Sequence, residues 1–288
     1  MDVDLDQVLR GLIGAARLLL LWSALFLVIE WAVPKLWAQY GRDFRLQKKQ
    51  RALKPEFPLE FGLALVNKLT YSVFLLAPVY ALMQLWQPLL PNFVFQKPIG
   101  SLPLVAQVFV GMLVMDLAVY IEHRFVHRFC WPFHAIHHAA LEISWLTAMR
   151  MHPINVLSQM LIYSTVGWVL GFSGAGWAIA GSINLTISNF NHANLDLDWG
   201  SPLRYVIASP NWHKWHHERC AEAHDKNFAL IFPFLDLIGG TFYYPSDRKP
   251  ADFGLYDRPG EEALEGGILE HVWYPFRRCY HVLRARLS

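Results

Sequence analysis

Long apolar runs occupy much of the first two-thirds of the chain, and their lengths predict its architecture. Residues 11–33 (GLIGAARLLLLWSALFLVIEWAV), 62–86 and 101–122 each reach the roughly 20 residues that cross about 30 Å of hydrocarbon. They predict three transmembrane helices. The N-terminus (MDVDLDQ) is acidic and the first run is longer than a signal-peptide core, so a retained span is expected there.

Residues 154–191 contain no charged side chain. As one helix they would extend about 57 Å, more than a single crossing uses. Gly171, Ser173, Gly174 and Gly176 lie in the middle and allow a turn. Two short antiparallel helices, roughly 154–171 and 174–191, are predicted, either as two crossings or as a re-entrant hairpin. This parity returns the chain to the face from which it left.

Orientation follows from Lys and Arg in the loops. Segment 34–60 carries seven (Lys35, Arg42, Arg45, Lys48, Lys49, Arg51, Lys54), whereas 87–100 carries only Lys97. The first loop is therefore expected in the cytoplasm, the N-terminus outside, and the end of the third span on the cytoplasmic face. The chain after residue 192 is mixed in character and reads as a cytoplasmic cap. Its tail, 265–288, combines Trp273, Tyr274, Phe276 and Tyr280 with Arg277, Arg278, Arg284 and Arg286, the composition of a segment lying on anionic lipid.

Composition sharpens this picture. Of 288 residues, 54% are hydrophobic and only 17% charged, against about 25% charged in a soluble domain. A net charge of +2 gives no basis for a nucleic-acid partner. Three cysteines in no CxxC spacing argue against a disulfide framework or a thiolate metal site. The expected fold class is an all-α integral membrane protein with about five membrane-embedded helices, three full spans plus a short hairpin, and a helical, histidine-rich cytoplasmic cap. Expected divisions are 1–100 (N-terminal spans and basic loop), 101–246 (third span, hairpin and cap) and 247–288 (interfacial tail).

Histidine is the anomaly. Eleven of the 13 lie between His123 and His224. His123 and His127 (HRFVH) are one helical turn apart and face the same way. His134, His137 and His138 (HAIHH) recur in pattern as His213, His216 and His217 (HKWHH). On a helix the first and last of such a triplet share a face, while the adjacent pair diverges by about 100°, so one triplet can serve two metals. His192 (NFNHAN) returns to the same face at the end of the hairpin. Neutral imidazoles without thiolate suit Fe, Zn, Cu or Ni. Their number exceeds the three protein ligands of a zinc hydrolase and favours a dinuclear redox centre.

The motifs HRFVH, HAIHH, NFNHAN and HKWHH, followed by HDKNFALIFPFLDLIGGTF, resemble the fatty acid hydroxylase and sterol desaturase superfamily of integral-membrane di-iron oxygenases. The resemblance covers roughly residues 101–246. It implies two irons, which zinc can replace in a purified sample, O₂ as co-substrate, and electrons from a separate cytochrome or ferredoxin/reductase-type protein. By position it implies His123, His127, His134, His137, His138, His192, His213, His216 and His217 as ligands. Some members carry a further histidine where this chain has Ser188; Asn189, Asn191 or His152 are candidates to fill that place. His224 is a further candidate, and Asp116 and Asp225 are candidates to accept an imidazole N–H and orient a ligand. Asp116 alternatively pairs with a cation such as Lys68.

The activity implied is hydroxylation of a C–H bond of a lipid (fatty acyl, sterol-like or carotenoid) entering from the bilayer, in a multi-pass protein of the bacterial inner membrane. Desaturation by the same centre and a membrane zinc hydrolase are the alternatives. A metal transporter would place histidines along the spans; these gather at one face.

Overall fold

The computed structural model describes residues 54–70, 98–255 and 266–287, with Leu264 and a subset between 21 and 36. The predicted spans 11–33 and 62–86 fall mostly outside the described residues; the start of the second lies in α1 (Phe57–Thr70). Every described element is helical, apart from one isolated bridge between Glu218 and Phe253.

α2 (Leu104–Phe129) follows Pro103, and its last turn closes through Cys130 N–H to Val126 O at 2.9 Å. Pro132 then sits in the first turn of α3 (Trp131–His138), where a missing N–H costs nothing and the chain can change direction. α2 is the one described helix long and apolar enough to cross a membrane. Its unpacked side is bare hydrocarbon: Val105, Phe109, Ile121 and Phe129 are all at least 60% exposed.

The uncharged stretch folds as the predicted hairpin. α4 (Pro153–Val169) ends at Leu170, Gly171 takes a left-handed φ of 67°, and Ser173 caps α5 (Gly174–His192) by accepting from Gly176 N–H. Gln107 of α2 fixes this turn: its Oε1 accepts from Ser173 N–H and Oγ–H, and its Nε2 donates to the carbonyls of Gly100 and Leu102. The hairpin tip therefore sits beside the start of α2, and both of its open ends return to the histidine end. Close packing of α2 on α5 requires Gly111, where a Cβ would stand 2.9 Å from that of Ala180. At 1.5 Å per residue, α4 and α5 are about 26 and 28 Å long, so the described helices establish one membrane-capable span and a short hairpin rather than a count of five.

The cap is built from α3, a 3₁₀ turn (Trp145–Met149), α6 (Pro210–His216), α7 (Phe234–Gly239) and α8 (Ile268–Leu287). Trp212, Phe228, Ile231 and Leu235 pack with Tyr120 of α2, while Trp145 and Leu146 pack with Ala193 and Leu195 beyond α5. Ionic groups hold the 3₁₀ turn from behind. Buried Lys54 donates to Glu60 at 2.6 Å, Thr147 Oγ1 at 3.0 Å and Glu142 O, and Arg150 joins Ile136 O to Glu56. Such charges are tolerated in an interior only when paired. α8 lays Tyr274 into the core beside Trp131 and leaves Leu269, Trp273, Phe276, Tyr280 and Leu283 exposed along one stripe.

Candidate metal centre

The nine histidines of the four motifs converge, and all are at most 5% exposed. α2 supplies His123 and His127, α3 supplies His134, His137 and His138, α5 ends on His192, and α6 with its C-cap supplies His213, His216 and His217. They form two groups, each with its ligand atoms within 4.8 Å of one another: His123, His127, His134, His138 and His216, and then His137, His192, His213 and His217. Each adjacent pair is divided between the groups, as the 100° step of a helix requires.

Outer partners fix the rings. His123 Nδ1 donates to Phe228 O at 3.0 Å, His134 Nδ1 to Asn155 Oδ1 at 2.8 Å, His137 Nδ1 to Thr147 O at 3.1 Å and His192 Nδ1 to Ser188 O at 2.7 Å. A ring that donates from Nδ1 carries its lone pair on Nε2. Yet His123 Nε2 and His134 Nε2 are 2.9 Å apart, and His192 Nε2 lies 3.3, 3.1 and 3.0 Å from those of His137, His217 and His213. Lone pairs facing each other at that range repel. Nitrogens about 2.0–2.1 Å from a common ion stand roughly 2.9–3.4 Å from each other, so the donor set fits a bound cation in each group. No carboxylate or thiolate belongs to either group, and imidazole suits the transition metals.

Burial first, and the neighbouring imidazoles second, hold His134, His137, His138, His213, His216 and His217 below the ordinary histidine value of 6.5. The unfolded chain takes up protons below about pH 6.5 that these folded rings refuse, so stability falls as pH falls through that value. Metal-free protein is therefore expected to melt at lower temperature at pH 5.5 than at pH 7.5, with uptake of more than one proton on unfolding; equal melting temperatures would contradict this.

The remaining candidates fall elsewhere. His152 caps α4: its Nδ1 accepts from Ile154 N–H and its Nε2 meets Val272 O at 3.1 Å, so it stands outside both groups. Asn189 and Asn191 are also outside them, with side-chain amides on Leu185 O and Leu230 O, and His224 Nε2 meets Arg219 O. Asp116 accepts no imidazole N–H and does not pair with Lys68; its carboxylate takes the backbone N–H groups of Leu230, Ile231 and Phe232. Asp225 does meet an imidazole, His127 Nδ1, at 3.1 Å. Sequence reasoning missed Asn155 and Glu122, which extend the His134 contact: Asn155 Nδ2 donates to Glu122 Oε1 at 3.2 Å. Thr147 was missed too, with the buried ion pairs behind it.

Two recesses reach the histidines. A cavity of about 420 Å³ touches His123, His134, His137, His192 and His213 and continues between α2, α4 and α5. A separate pocket is lined by His127, Arg124, Arg128 and Asp225.

Helices that gather nine buried imidazoles into two nests form two groups that could each hold a metal ion. Residues 108–241 match the fatty acid hydroxylase family model, so this part of the chain is similar to that family. It is 26% identical over 178 residues to the ornithine lipid hydroxylase OlsE of Rhizobium tropici (61% of this chain, 52% of the relative). It is 30% identical over 168 residues to the alkylglycerol monooxygenase of Danio rerio (58% and 36%). Against the very-long-chain aldehyde decarbonylase GL1-7 of Oryza sativa identity is 27% over 209 residues (67% and 31%). The chain thus spans about half, or less, of the length of these relatives. No solved structure matches it.

Proposed function

We propose that the protein is a membrane-bound, O₂-dependent oxidoreductase that hydroxylates a C–H bond of a lipid. The observation that carries this reading is the cavity: it joins both histidine groups to the space between apolar helices. The names of the relatives, lipid hydroxylase and alkylglycerol monooxygenase, support it. Two irons, held by the nine histidines, would supply O₂ activation. One oxygen atom enters the C–H bond, and the other leaves as water with two electrons and two protons from a separate carrier protein.

The chain's own residues do the positioning. Carbonyls of Phe228, Thr147 and Ser188 and the amide oxygen of Asn155 hold the imidazoles with Nε2 inward. Met115, Val119, Met160 and Leu230 keep water from the cavity and receive hydrocarbon. The Arg124 and Arg128 pocket at His127 is a surface suited to an acidic electron carrier. The exposed stripe of α8, with Arg277 and Arg278 beside it, supports docking on anionic lipid, with the histidines on the cytoplasmic side of the bacterial inner membrane.

Lipid mass spectrometry of cells with and without the gene, grown with and without air, tests the reading. A lipid gaining one oxygen atom only in aerated, gene-bearing cells is expected. A lipid losing two hydrogens instead would make the protein a desaturase, and a cleaved lipid formed without air would make it a hydrolase.

A further inference from the structure

The cavity is not uniformly greasy. Asn184 of α5 lines it, is 5% exposed, and its side-chain Nδ2 has no hydrogen-bond partner among the described residues. The position is eight residues before His192, about 12 Å down the helix axis from the histidine level. α4 runs antiparallel, and Tyr163 and Ser164, ten and eleven residues into it, lie at a similar depth and line the same space. Towards the histidines the walls are Val119, Met160, Gln159 and Ser188; Met115 stands at about the depth of Asn184, against Gly181, and Trp177 lies below. By contrast the hydroxyls of Ser182 and Thr186, also on α5, are spent on the carbonyls of Ala178 and Ser182. A neutral amide between helices ordinarily finds an interhelical hydrogen-bond partner, and one left without a partner in low dielectric is a site for one.

We infer that Asn184 receives an oxygen atom of the substrate. Resting on the lipid-hydroxylase reading of this cavity, the inference narrows its substrate class. The lipid carries a hydroxyl, ether or carbonyl oxygen on the portion that enters the cavity, about 12 Å from the histidine groups, and a bare alkyl chain is a poor ligand. Tyr163 and Ser164 complete the polar level, and the length between Asn184 and the histidines sets which carbon is presented.

Binding of hexadecan-1-ol and of hexadecane to purified, metal-loaded protein in detergent tests this without turnover. Wild type is expected to bind the alcohol at least about tenfold more tightly, since a site built for a hydroxyl discriminates strongly against its absence. In Asn184→Leu the preference should vanish while hexadecane binds as before, and Asn184→Gln should keep part of it. Metal content and melting temperature report whether each variant is folded. Equal binding of the two probes by wild type, or an undiminished preference in the leucine variant, overturns the inference: water alone then satisfies the amide. Failure of the hydroxylase reading shows separately, as absence of any oxygenated product from aerated wild-type cells.

Discussion

His192→Ala is expected to cost the protein one of two bound metals and to lower lipid oxidation by at least about 100-fold. Its Nε2 lies within 3.3 Å of three other imidazole nitrogens and is the hub of its group. The ring is preset by Ser188 O at 2.7 Å in the last turn of α5. Truncation leaves His137, His213 and His217 around an open quarter that no carboxylate or thiolate among the described residues joins. Changes one layer further out typically cost 10–100-fold in metal affinity or activity, so loss of the hub sets the lower bound. The other group keeps its five histidines. Metal analysis and lipid oxidation on the same sample check the result, and a variant with two metals and full turnover would contradict it.

Asp116→Ala is expected to have the largest effect on stability of any single change away from the histidines. The carboxylate is fully buried and accepts three backbone N–H groups, from Leu230 at 2.7 Å, Ile231 at 3.0 Å and Phe232 at 2.6 Å. Each donor left unpaired costs about 1–3 kcal/mol, so the sum is roughly 3–9 kcal/mol against a typical total of about 5–15 kcal/mol. The damage reaches the histidines, because this segment begins at Phe228, whose carbonyl orients His123 and whose N–H is held by Asp236. A much lower melting temperature in detergent is expected, together with reduced metal content. Asp116→Asn, which keeps one acceptor oxygen, should fall between. Wild-type melting of the alanine variant would refute the bracing role.

The chain's pattern made some of this legible. An uncharged stretch too long for one crossing, with glycines at its centre, specified the hairpin and the return of His192 to the face of His123. Helical angles specified that neighbours such as His137 and His138 part company. What the pattern hid depends on backbone atoms and distant partners. Asp116 lies seven residues, about two turns, before His123 and so on its side of α2, but its partners are peptide N–H groups more than 110 residues away. Asn155, Thr147 and the Lys54–Glu60 pair were invisible for the same reason: their roles exist only once α1, α3, α4 and the 3₁₀ turn are packed together. His152 drew attention as one more histidine, yet the Pro153 that follows it is the signature of a helix start, and a capping role could have been read there.

The central claim is that two nests of imidazole, five and four strong, each hold one ion. Metal analysis of the full chain purified under nitrogen from iron-supplemented cells tests it most directly. The account predicts two metal ions per chain, falling to one in His192→Ala; a wild-type protein that carries one ion or none, yet still oxygenates lipid, would contradict it.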